Sequence, residues 1–398
     1  MSSARVATLE GQPLERVASL RDVIRDGGDE AQRLRHMPSE TAEALTTAGL
    51  FRFTIPRELG GENASMRETI AVLEAIAAID GSVGWNVMIG SEINAMAAGG
   101  MAEELAREVF LDNPSVIMCG GGGPGTEPGR AVHEGAGYRI WGRTSFISGC
   151  HNADWCFMSA TVFDGDEPAL GESGRPINRT FFLHKSQFEI VDTWDVAGLR
   201  GSGSHDVKVD GALVEEKWAP VELMLPSRYD NPVFRVPTPM RLAYNKAAVA
   251  LGVAHGSMDA YLDLAQNKTP FLSGARLRDR PIAQYRLGEA EATFHAAHAF
   301  LMEAMDGLEA SLAAGDQAPS LEATKMGRLA CTFAAESSMR VVDSLHNSAG
   351  TSAGYMDSPL ERQLRDAHAC ASHRWVAHPL YEELGRLFFG HEPSGEFF

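Results

Sequence analysis

The chain changes texture twice along its length, and that double change constrains the fold more than any single motif. Up to about residue 112 it reads as helices. Met66 to Ile79 carries Ile70, Val72, Leu73, Ile76 and Ala77 on one face at a 3.6-residue period. Asp80-Gly81-Ser82 then interrupts the chain and can cap a second apolar helix through Trp85, Val87, Met88, Ile89 and Ile93. Ser39 stands as an N-cap before ETAEALTTA, with Gly49 as the residue that closes that helix. From about Pro114 to Pro220 the runs are short and β-rich (YRIW, DWCFMSATVF, RTFFLHK, HDVKVDG), separated by Gly, Asp, Asn and Pro clusters. Helical patterns long enough for βαβ crossovers are missing there, so an antiparallel sheet is expected. After Pro239 long Ala- and Leu-rich helical segments return: 243–266, about 283–313 and 321–348, then a final pair around SHRW. The expected domains are an N-terminal helical domain over 1–113, a central antiparallel β domain over 114–222 and a C-terminal long-helix bundle over 223–398.

Composition narrows the function classes. A net charge of −18 argues against nucleic acid or an anionic membrane as partner, because phosphate binding draws on clustered Lys and Arg. The N-terminus has no basic stretch followed by an apolar one, and no run approaches the roughly 20 apolar residues of a spanning helix. Five cysteines, odd in number and without CxxC spacing, read as reduced thiols of a cytoplasmic protein. The Gly-rich run CGGGGPGTEPGR (residues 119–130) is read as a flexible loop. Pro124 and Pro128 remove backbone donors, and neither a helix nor GK[ST] follows, so it is no dinucleotide fingerprint. Metal ligation finds no support: His295 and His298 stand at i,i+3, while His368, His373 and His378 are five apart and cannot converge from one helix.

Three stretches carry the candidate chemistry. TSFISGCHNADW (residues 144–155) runs a strand into a Ser-Gly turn with small hydroxyls beside aromatics, the mixture a flat hydrogen-bonding cofactor needs. WDVAGLRGSGSHDVKV (residues 194–209) places a Gly- and Ser-rich turn between strands. LERQLRDAHACASHRW (residues 360–375) has an Arg-Asp pair at the head of a helix whose far end carries His373. Taken singly, each has a plain reading as a turn or a polar helix surface.

In this order on this layout, the stretches resemble the acyl-CoA dehydrogenase superfamily, and more narrowly its flavin-dependent monooxygenase branch. AGLFRFTIPRELGG (residues 48–61), DGSVGWNVMIGS (residues 80–91) and LYEELGRLFFG, near the end, extend the likeness over nearly the whole chain. The resemblance implies a flavin between the β domain and the bundle. Trp85, Phe146, Ser148, Gly149, Arg200, Ser202 and Ser204 would hold it, with the Ser148 hydroxyl near flavin N5. It implies reduced FMN or FADH2 delivered by a separate NAD(P)H:flavin reductase, O2 as co-substrate, and a C4a-hydroperoxide that oxygenates an aromatic or heteroaromatic small molecule. Asn86, His151 and His373 would line the substrate pocket, with His373 and Ser148 catalytic. Imidazole, ordinarily titrating near 6.5, would deprotonate a phenol partway or return a proton to oxygen.

Two departures from the dehydrogenases accompany the likeness. Where several of them carry a catalytic Glu, this chain has Arg374 beside His373, and a guanidinium cannot abstract a proton at neutral pH. ARLRDRPIAQYR (residues 275–286) keeps Pro281 but lacks the Phe-Gly and later Gln of the dimer arm that holds FAD tightly. The alternatives are an acyl-CoA dehydrogenase-like dehydrogenase or oxidase with tightly bound FAD, and a flavin-binding scaffold without turnover. A homotetramer built through the C-terminal bundles is the expected assembly.

Overall fold

A computed structural model describes residues 11–121, 127–220, 229, 231–313 and 318–393. The N-terminal helices are α1 (Pro13–Ser19), α2 (Arg21–Leu34), α3 (Ser39–Thr47), α4 (Met66–Ile79), α5 (Gly81–Gly100) and α6 (Glu103–Asp112). Helix α4 has the bounds its periodicity predicts, and a capping box of Ser65 and Glu68 starts it. The Asp80 side chain accepts the Val83 N–H and caps α5. Ser39 is the first helical residue of α3 rather than its cap, a role that falls to Pro38, and Gly49 follows with φ of 71°.

The strands are β1 (Met118–Gly121), β2 (Glu127–Glu134), β3 (Gly137–Ile147), β4 (Trp155–Asp164), β5 (Glu167–Pro168), β6 (Asn178–His184), β7 (Glu189–Val191) and β8 (His205–Glu215). They form one sheet in the order β1-β4-β2-β3-β8-β7, with β5 and β6 also paired to β4. Most pairings are antiparallel, but β4 runs parallel to both β1 and β2. The β2–β3 hairpin supplies the crossover that a helix supplies in βαβ units. The Gly-rich run corrects one expectation: Cys119–Gly121 finish β1 and Glu127–Arg130 open β2, while residues 122–126 lie outside the described residues. Gly120 is needed as a close approach, since a Cβ there would stand 2.3 Å from the Phe157 ring on β4.

The remaining helices are α7 (Pro232–Arg235), α8 (Thr238–Asn267), α9 (Pro281–Ala313), α10 (Leu321–Ala349), α11 (Pro359–Ala371) and α12 (Leu380–Phe388). Leu73 and Ile76 of α4, Val83 of α5, Leu251 of α8, Leu301 of α9 and Val342 of α10 bury into one continuous core. The N-terminal helices and the bundle are thus fused, and the sheet packs its own smaller core around Ile140, Phe181 and Val209. All five cysteines are buried free thiols. Among the described residues no helix is long and apolar enough to cross a membrane.

Candidate active site

Strand β3 ends in an irregularity, its register on β8 shifting between Thr144 and Ile147. Phe146 bulges there with φ of 64°, unusual for a residue with a Cβ, and is 72% exposed with its ring edge-on to Trp194 at 6.1 Å. The bulge throws Phe146 outward and Ser148 inward, where Ser148 is 5% exposed. Gly149 follows at φ of 74° and donates its N–H to the Ser202 carbonyl at 2.9 Å. A Cβ on Gly149 would approach Asn86 Oδ1 to 3.1 Å.

Four side chains then form one hydrogen-bonded row. Ser202 and Ser204 hydroxyls are 2.7 Å apart, Ser204 and Ser148 hydroxyls 2.6 Å, and Trp85 Nε1–H donates to Ser148 Oγ at 3.1 Å. When Ser202 donates to Ser204 and Ser204 to Ser148, two donors fill the lone pairs of Ser148. Its own O–H is then left to donate to a bound acceptor. Asn86 of α5 gives its amide hydrogens to the Ser82 and Gly201 carbonyls. Its Oδ1 is buried without a hydrogen-bond partner, and Asn86 lines a narrow pocket with Ser148, Gly149 and Cys119. A buried acceptor in that state is open to a donor from a bound molecule.

The opposite wall is the turn after α11. Asp366 lies in the middle of α11, not at its head, and accepts the Leu199 N–H at 2.6 Å; Arg365 donates to the Ala197 carbonyl. These bonds lock α11 to the 194–204 turn. His373 follows the C-cap Ser372 and meets the Trp85 ring edge-on, centroids 5.5 Å apart. Trp85 therefore touches both candidate catalytic side chains. Burial, then the positive charges of Lys246 and Arg374, push His373 down to about 3. The imidazole is uncharged at neutral pH, which corrects the sequence-based expectation of a group titrating near 6.5. The Trp375 N–H points at His373 Nδ1 across 3.4 Å, which assigns the hydrogen to Nε2. His373 then presents an N–H donor. Arg374 lies over the Trp375 ring at 4.9 Å.

Two further sequence-predicted residues, Arg200 and His151, are held by neighbouring groups. Arg200 spends its guanidinium on the Gln32 and Val196 carbonyls and on Asp195, tying the 194–204 turn to α2. His151 stacks on His36, centroids 3.9 Å apart, and meets His205 edge-on at 5.0 Å. Sequence reasoning missed Glu92, Arg241, Asn245 and Lys246, buried together between α5 and α8. The visible signal was a polar triplet in the Ala-rich start of α8, where Arg241 and Asn245 share a face at i,i+4. Among the described residues no group of three or more His, Cys, Asp or Glu side chains is placed to hold a metal ion.

The residues present fit a flavin: a buried hydroxyl able to donate, an unpaired buried acceptor and an exposed aromatic ring lie along one β–helix seam. Residues 17–112 match the acyl-CoA dehydrogenase N-terminal domain, and residues 244–378 match its C-terminal domain. The chain belongs to the acyl-CoA dehydrogenase family. Within that family it is similar to the indole-3-acetate monooxygenase of Pseudomonas putida, 31% identical over 94% of this chain and 93% of the relative. The FADH2-dependent resorcinol hydroxylase, oxygenase component, of a Rhizobium species is 27% identical over 96% of this chain and 95% of that one. Among solved structures, the HsaA monooxygenase of M. tuberculosis superposes with a TM-score of 0.82 at 26% identity, covering 96% and 98% of the two chains. The chain is thus a flavin-dependent oxidoreductase of the family's monooxygenase branch, and the dehydrogenase alternative is disfavoured.

Proposed function

We propose that the protein is the oxygenase component of a two-component monooxygenase, which takes FADH2 from a separate NAD(P)H:flavin reductase. With O2 it would oxygenate an aromatic or heteroaromatic small molecule held beside His373. The carrying observation is that Trp85 hydrogen-bonds Ser148 and packs on an uncharged His373, at a turn that has Arg374 and no carboxylate. The FADH2-dependent Rhizobium relative supports FADH2 over reduced FMN, and the indole-3-acetate relatives support a heteroaromatic ring.

In this reading Ser148, Gly149, Asn86 and the exposed Phe146 hold the flavin, with Ser202 and Ser204 fixing the direction of the Ser148 hydrogen. The reduced flavin, when bound, supplies the electrons that activate O2. Trp85 walls the reacting region off from water, and His373 Nε2–H donates a hydrogen bond to substrate or to reacting oxygen. Arg200 and Asp366 act one step back, holding the turns that carry Ser202 and His373. We also propose a homotetramer. Phe271 and Leu272, each 92% exposed between α8 and α9, and the exposed Ile282 and Tyr285 at the start of α9 offer apolar surface for a second copy.

The test mixes the protein anaerobically with FADH2 or reduced FMN, admits O2 and indole-3-acetate, and assays oxygenated product. Product with FADH2, and more of it than with FMN, supports the reading. Absence of product with either flavin across an aromatic panel, together with bleaching of bound flavin by an acyl-CoA, overturns it.

A further inference from the structure

Helices α5 and α8 bury a polar group in an otherwise apolar seam. Glu92 of α5 receives Lys246 Nζ at 2.6 Å and Asn245 Nδ2 at 2.8 Å, and the Lys246 and Glu92 side chains are only 2% and 1% exposed. One turn before Asn245, on the same face of α8, Arg241 is also buried. Its Nη2 makes one long bond, 3.4 Å to the Val236 carbonyl, and its guanidinium stands 5.7 Å from the Phe234 ring centre. Arg241 Nε and Asn245 Oδ1 are both buried without a hydrogen-bond partner.

The charges do not balance. Glu92 is the carboxylate whose field reaches Arg241, and Lys246 already occupies it at 2.6 Å. Two buried cations therefore face one anion. A buried guanidinium without its own counter-ion is unfavourable until an anion joins it, and its planar fork of donors matches a carboxylate.

The group also lies in the right place. Glu92 and Trp85 are seven residues apart on α5, two turns along one face. Trp85 packs on His373, and the Lys246 charge is felt at the His373 ring. The polar group therefore lies two turns along α5 from Trp85, with the Lys246 charge on the side toward His373.

We infer that Arg241, Asn245 and Lys246, with Glu92 behind them, form the recognition end of the substrate chamber and select an aromatic substrate bearing a carboxylate arm. The arm pairs with Arg241, while Lys246 stays on Glu92 and the ring lies against Trp85 and His373; this rests on the oxygenase reading above.

The probes are indole-3-acetate and indole, which share a ring and differ in the acid arm. Binding to the full-length protein is measured by calorimetry, and kcat and KM are measured with FADH2 and O2. The wild type is expected to prefer the acid by at least about tenfold, the scale of a charged hydrogen bond. Arg241→Met should cut that preference about tenfold or more, through KM rather than kcat, and Arg241→Lys should restore part of it. Asn245→Leu, a smaller change in the same wall, serves if Arg241→Met does not fold, and should also narrow the preference. Equal binding of the two probes by the wild type overturns the inference. So does an equal loss of affinity for both probes in the folded variant. Preferential binding of the acid without product in any flavin condition keeps the recognition site and overturns the oxygenase reading instead.

Discussion

Trp85 donates its indole N–H to the Ser148 hydroxyl across 3.1 Å, joining the N-terminal part of α5 to the turn that ends β3. The same indole ring packs edge-on against His373 from the far end of the chain. Trp85 is thus the hinge between the proposed flavin wall and the proposed substrate wall, and its two contacts can be separated by mutation.

Trp85→Phe keeps an aromatic surface for His373 and removes the donor to Ser148. One lone pair of Ser148 is then unfilled and its hydrogen is no longer directed. A net loss of about 1 kcal/mol, the usual worth of such a bond, corresponds to roughly five- to tenfold in rate. The expected result is less product per FADH2 oxidised, with the difference appearing as hydrogen peroxide. Unchanged coupling would remove the Trp85–Ser148 bond from the mechanism.

His373→Ala should abolish oxygenation while flavin binding, followed by fluorescence, persists. The pH profile adds a second reading. With His373 held down to about 3, the imidazole stays uncharged from pH 5 to 8, so kcat should show no His373 ionisation in that range. A step near 6.5 that disappears in His373→Asn would contradict the neutral imidazole.

Asp366 is pushed up to about 7 by burial, then by the nearby Asp80 carboxyl. Because its folded value lies above the unfolded one, near 3.9, its stabilising contribution is complete below about pH 4. That contribution is lost as pH rises through 7. Asp366→Asn keeps an acceptor for the Leu199 N–H and removes the titration. Relative to the wild type, the variant should gain stability between pH 4 and 7, on the order of 2–4 kcal/mol, read from denaturant unfolding at each pH.

Lys246→Met removes the ion-pair partner of Glu92 and leaves that carboxylate with only the Asn245 amide and the more distant Arg241, which costs up to about 3–5 kcal/mol. The double variant Glu92→Leu/Lys246→Met should recover part of that loss, since it removes the uncompensated Glu92 carboxylate and leaves Arg241 as the remaining buried charge. Thermal unfolding of the single and double variants checks both statements. A double variant no more stable than Lys246→Met would show that the pair is not the relevant coupling.

The sequence by itself determined the element types and their order. The 3.6-residue period of Met66–Ile79, the Asp80 cap and the β-rich runs between Pro114 and Pro220 are local signals, and local backbone preferences answer to them. Ser148 and His373 were singled out through the family resemblance of the stretches that carry them, while their contacts with Trp85 came only with the fold. The parallel pairing of β4 with β1 and β2 was not legible, because strand partners are chosen by long-range packing. Nor did sequence distinguish Arg200, which braces a turn, from Arg241, which lies buried between α5 and α8. Both are single arginines, and only burial and the distance to a carboxylate separate them. The state of His373 was likewise decided by the fold. Its side chain is the same imidazole in any sequence, but the water removed from around it and the cations placed near it exist only once α5, α8 and α11 have packed.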